Sequence, residues 1–167
     1  MTYDEYVADM KREFPRLKIG PIHTHWFFGI LWKMGWRMGG VTLYDTILLT
    51  YEIIGTQRAV EVLKHERVHM RDDHAWHIFY LLSYFLVLPV GPSFKAFWEW
   101  RGYRESIRSI WEGEYPPEYR QYLLDWNAEW IANQFCGASY LWMWPFRKMV
   151  LGWCHAEYAR LAASKTV

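Results

Sequence analysis

The stretch Gly39–Asp73, GGVTLYDTILLTYEIIGTQRAVEVLKHERVHMRDD, decides the fold. Val41-Thr42-Leu43-Tyr44 and Ile47-Leu48-Leu49-Thr50-Tyr51 are rich in β-branched and aromatic residues and are bounded by turn residues, so both read as strands. Gly39-Gly40 marks a turn before them and Gly55-Thr56 ends the block. Thr56 is then a candidate N-cap for a helix running from Gln57 to about Asp72. Ala59, Val60, Leu63 and Met70 fall at spacings that give this helix an apolar stripe. Asp72-Asp73 reads as the place where it breaks, with a second helix carrying the following apolar run to Leu88.

Outward from this block the chain reads as helices. Thr2 and Glu5 form a capping-box pattern, so a first helix is expected over Tyr3 to Phe14, closed by Pro15. Lys18 to Met38 is mixed, and the cluster from Trp26 to Trp32 suits a strand or a short helix equally. After a turn at Pro89 to Pro92, helices are expected over Phe94 to Glu112 and Pro116 to Phe135, the latter stopped by Gly137. A last helix over Tyr140 to Ala163 is expected to kink at Pro145. One helix, a small β region and then helices define a mainly helical α+β fold, with a small sheet preceding the helix that bears the motif below. At 167 residues one domain is expected over residues 1–167, with no linker or repeat.

Composition excludes some classes. Apolar residues make up 52% of the chain, too many for a disordered segment. The net charge of +1 supplies no basic face, so no nucleic-acid partner is expected. Cys136 and Cys154 show neither a disulfide framework nor metal spacing. The start Met1-Thr2-Tyr3-Asp4-Glu5 is acidic where a signal peptide is basic, so a cytoplasmic protein is expected. The apolar run Ile78 to Val90, only 13 residues long, is too short to span a bilayer and reads as a buried helix or an interfacial segment. Aromatic residues reach 20%, which suits an aromatic-rich core or a face that meets a membrane surface or a partner.

The chemistry sits in His65-Glu66-Arg67-Val68-His69, an H-E-x-x-H pattern. Residues four apart on a helix share a face, so two imidazoles can reach one ion. Glu66 lies on the adjoining side, within reach of a water on that ion. Such a water has a lowered pKa, and a glutamate can take its proton and pass it to a leaving amine. The competing reading is a solvated charged face, Lys64-His65-Glu66-Arg67, built from i,i+4 pairs. A catalytic zinc usually takes three protein ligands. The metzincin extension requires Gly at position 72 and His at 75, where Asp72 and Ala75 stand, so that subclass is excluded. The remaining candidates are carboxylates after Pro92, Glu99 and Glu105. Glu99 lies amid Phe97, Trp98 and Trp100, where a charge is costly unless something answers it.

With HExxH followed by a hydrophobic stretch and then Glu99-Trp100-Arg101-Gly102-Tyr103, the chain resembles the gluzincin metallopeptidases, most of all their small single-domain (minigluzincin-like) forms from bacterial and phage genomes. Gly39 to Ile47 also resembles the strand that precedes the active-site helix in such enzymes. The resemblance covers roughly residues 39 to 108, and the helical extension over 116–167 has no counterpart in it. It implies zinc as cofactor, His65, His69 and Glu99 as ligands, Glu66 as catalytic base and Tyr103 as a neighbouring support. It implies peptide-bond hydrolysis on a peptide or protein substrate. The larger gluzincins hold the oxyanion with a His or Tyr from a second domain, and no residue here matches it. A zinc-binding structural protein that has lost turnover, a virion or membrane-surface component, is therefore the alternative.

Other polar residues have weaker readings. Asp72 could orient a ligand imidazole, or with Asp73 simply end the helix. His74 and His77 read as core-edge or surface residues. His23 and His25 alternate in what reads as a strand.

Overall fold

The computed structural model describes residues 1–33, 39–85, 94–137 and 143–164. These form six α-helices and one three-stranded sheet, the mainly helical α+β class expected. None of the described helices is long and apolar enough to cross a membrane. The chain divides into two compact units, Met1–Ile78 and Phe79–Val167.

The first unit opens with α1 (Tyr3–Glu13). Its capping box is complete: Thr2 N donates to the Glu5 carboxylate at 2.7 Å and Glu5 N to the Thr2 hydroxyl at 3.3 Å. Strand β1 (Lys18–Pro21) follows, then a 3₁₀ turn over Ile22–Thr24 and α2 (Trp26–Lys33). His23 therefore lies in a turn, where a strand was expected, because Pro21 ends the ladder that Lys18 begins. The ambiguous cluster at Trp26 is a helix. A Cβ at Gly29 would come within 2.7 Å of the His23 carbonyl oxygen, so this helix can lie against the turn only with glycine there.

The two strands read after Gly39-Gly40 are β2 (Gly40–Leu43) and β3 (Thr46–Leu49), which pair antiparallel as a hairpin; Thr50 lies past the end of β3 and Tyr51 begins a 3₁₀ turn. β3 is central: β1 pairs with it in parallel and β2 antiparallel, in the order β1-β3-β2. Tyr44, in the two-residue turn, has a left-handed φ of 48° that disfavours a bulky residue. Its ring stacks on His74 at 4.8 Å, and its N–H donates to the Asp73 carboxylate at 3.1 Å. The core packs Met10 and Phe14 of α1 against Ile47 and Leu49 and against the apolar stripe Ala59, Val60, Leu63 and Met70.

Helix α3 (Gln57–Phe85) carries that stripe. Thr56 caps it as expected, accepting from Ala59 N at 3.3 Å. It does not break at Asp72-Asp73 but runs on as one helix of 29 residues. The side chain of Asp73 is engaged elsewhere, by Tyr44 N and by His77 Nδ1 at 2.8 Å, and so does not compete for its own backbone. The rest of the expected run to Leu88 and the turn at Pro89 to Pro92 lie outside the described residues.

The second unit holds the end of α3 with α4 (Phe94–Glu112), α5 (Pro117–Cys136) and α6 (Arg147–Ser164). Gly137 stops α5 as expected. α6 begins after Pro145, so no kink occurs within it: a helix starts readily just past a proline. Its core joins Ala96, Tyr103 and Ile107 of α4 to Leu124, Ile131 and Phe135 of α5 and Val150 and Cys154 of α6. Glu157 is buried, and Arg104 of α4 and Arg160 of α6 answer it at 3.2 and 2.6 Å.

Candidate metal centre

α3 presents His65 and His69 one turn apart, as the HExxH spacing predicts. Both side chains are buried, and so is Glu66. The reading of this segment as a solvated charged face therefore fails. Arg67, between them in sequence, turns to α1 instead: its guanidinium pairs with Asp9 at 2.8 Å and with Glu13. Lys64 is held by Glu61 at 3.4 Å.

The two imidazole Nε2 atoms stand 3.0 Å apart. Tetrahedral Zn–N bonds of about 2.05 Å put neighbouring nitrogens about 3.3 Å apart, so both rings aim close to where one ion would hold them. Two neutral imidazoles sharing one proton also reach this distance, so the pair alone does not define a metal site. A third donor does. His65, His69 and Glu99 each offer one ligand atom, and these atoms all lie within 4.8 Å of one another. No other such group of His, Cys, Asp or Glu occurs among the described residues.

Glu99 is held on α4 by its neighbours. Trp98 donates its indole N–H to Ser83 Oγ at 2.8 Å and meets the ring of Tyr80 edge-on at 5.2 Å. Those contacts fix the start of α4 against the last turns of α3, and Glu99 is 2% exposed. Burial pushes the Lys95 ammonium below its ordinary pKa, and the charge of Glu99, one turn on, pulls it partly back.

Glu105, the other carboxylate considered, is only partly buried and pairs with Arg108 at 3.2 Å. It is not part of the cluster. Tyr103 is buried with its ring against Trp130 and Phe135 of α5. Asp72 is buried as well. His74 pairs with Asp45 of the hairpin turn at 3.0 Å and so ties that turn to α3, His77 pairs with Asp73 one turn back on α3 itself, and both histidines lie outside the cluster.

The structure adds two residues that sequence reasoning missed. Thr42 of β2 donates its hydroxyl to Glu66 Oε2 at 2.7 Å, and Gly40 lies against the same carboxylate. The period of two in a strand puts both on one face, but nothing in the sequence matches that face to Glu66, 24 residues on from Thr42. No protein-family model, curated protein or solved structure matches this chain.

Proposed function

We propose that this chain is a zinc-dependent peptidase of gluzincin type, with His65, His69 and Glu99 as ligands and Glu66 as general base. The observation that carries the reading is the buried group of two imidazoles and a carboxylate, with ligand atoms within 4.8 Å of one another. The donor set fits: two histidines and a glutamate make one of the usual catalytic zinc shells, leaving a fourth position open. When bound, zinc supplies a Lewis acid that acidifies a water and polarises the substrate carbonyl. Glu66 takes the proton of the attacking water and returns it to the leaving amine. β2 lies at an edge of the described sheet, and an extended peptide could add to it by main-chain hydrogen bonds.

The test is zinc content and cleavage of a peptide library, for wild type and Glu66→Gln. About one zinc per chain is expected in both. Cleavage should fall on the order of 10²-fold or more in the variant, the usual worth of a general base. A Glu66→Gln protein that cuts as fast as wild type removes the mechanism. Zinc in both proteins with no peptide cut by either favours a zinc-binding structural protein. Failure of wild type to bind supplied zinc removes both.

A further inference from the structure

We infer that Thr42 is a positioning residue for Glu66, and that Gly40 keeps open the space its carboxylate occupies. The inference rests on the peptidase reading for its catalytic meaning and on local geometry for the rest. Side chains alternate across a strand, so Gly40 and Thr42, two apart on β2, face the same way. That face looks onto α3. A Cβ at Gly40 would come within 2.8 Å of both Glu66 Oε1 and Val62 Cγ1. Thr42 Oγ1 stands 2.7 Å from Glu66 Oε2 and 3.3 Å from the Glu66 carbonyl oxygen. A hydroxyl has one proton, and a carboxylate at the shorter distance is the stronger acceptor, so the bond goes to the side chain.

The two oxygens of Glu66 are thus treated differently. Oε2 is held by a donor, while Oε1 fits against a backbone with no side chain. A glutamate has three rotatable bonds, and a general base must keep its oxygen within hydrogen-bond reach of the proton it takes. One donor on one oxygen fixes the rotamer and leaves the other oxygen to accept. The strand itself is anchored next to this point, because Tyr44 N donates to Asp73 of α3. β2 therefore carries a fixed hydroxyl, and Thr42 acts on the reaction only through Glu66.

The experiment compares Thr42→Val, Thr42→Ser and Gly40→Ala with wild type in the full-length chain. Valine keeps the shape and removes the donor, serine restores it, and alanine fills the space beside Oε1. The readouts are zinc content, kcat and KM on a cleaved peptide, and the carboxyl ¹³C resonance of Glu66, assigned with Glu66→Gln. Expected are unchanged zinc, a kcat lowered on the order of 10²-fold in Thr42→Val with KM within about twofold, and recovery in Thr42→Ser. The Glu66 resonance should move in Thr42→Val and Gly40→Ala and return in Thr42→Ser. A resonance unmoved by Thr42→Val, or a kcat unchanged by it, overturns the inference. If wild type cuts no peptide while the resonance moves as expected, the peptidase reading has failed and the placement of Glu66 by Thr42 stands.

Discussion

Glu99 is the residue on which the metal reading turns. A carboxylate 2% exposed among rings is expensive unless cations or donors answer it. Lys95 supplies one charge on the same helix. The two imidazoles of α3 bring ligand atoms within 4.8 Å of the Glu99 carboxylate. Glu105 has its own arginine and a side chain one-third exposed. Glu99→Gln should therefore lose zinc, on the order of 10-fold or more in affinity, while Glu105→Gln keeps it; chelator competition on the purified proteins reads both. Retention in Glu99→Gln together with loss in Glu105→Gln would move the third ligand. His65 and His69 were legible because the i,i+4 spacing is local to one helix. Glu99 and Glu105 are both plausible by spacing alone, and the structure separates them by burial and by which of them joins the two imidazoles. Thr42 was not legible, because its partner is set by the packing of a strand on a helix.

At the scale of elements, α1 is joined to α3 by charge as well as by its apolar face. Glu13 accepts from Arg71 Nε at 2.5 Å and Arg67 Nε at 2.7 Å, and Asp9 takes the remaining arm of Arg67. The arginine hydrogen bonds, that of Arg71 foremost, hold the Glu13 carboxyl below the usual glutamate range. The sign follows from linkage: a carboxyl whose folded pKa is depressed stabilises the fold above its unfolded value, about 4.3, and loses that contribution as pH falls through the folded value. Wild type should melt above Glu13→Gln at pH 7, and the gap should close between about pH 4.5 and the lower folded value. Thermal unfolding at several pH values checks this, and a gap that stays constant down to pH 3 counts against the latch. The caps at Thr2 and Thr56 and the two strands after Gly39 were readable, since capping and strand propensity are local. The continuity of α3 through Asp72-Asp73 was not. An aspartate ends a helix or continues it according to whether its side chain finds a partner elsewhere, and here the partner is the turn at Tyr44.

Across the whole molecule the aromatic excess divides between two uses that composition does not separate. Trp98, Tyr103 and Phe135 are buried, whereas Trp26, Trp76 and Trp126 are more than half exposed. Periodicity cannot sort them on α5, where apolar residues occupy both the buried and the exposed side. The C-terminal helices were legible as helices, from Pro117 and Gly137 at their ends, but not as a core, which forms only when α4, α5 and α6 meet. Cys154 reports on that core. It is fully buried there, and burial pushes its thiol up to about 12. At pH 8 the thiol therefore stays in its unreactive protonated form. Burial also raises Cys136, which is partly accessible, so Cys136→Ser isolates the deeper thiol. In that variant a disulfide reagent should leave Cys154 untouched at pH 8 and label it only as denaturant opens the helical unit. The labelling midpoint should coincide with loss of helical circular dichroism in the same titration. Fast labelling of the native protein would mean that the packing of α6 on α4 and α5 opens without unfolding, and that Cys154 is not sealed by the core that surrounds it.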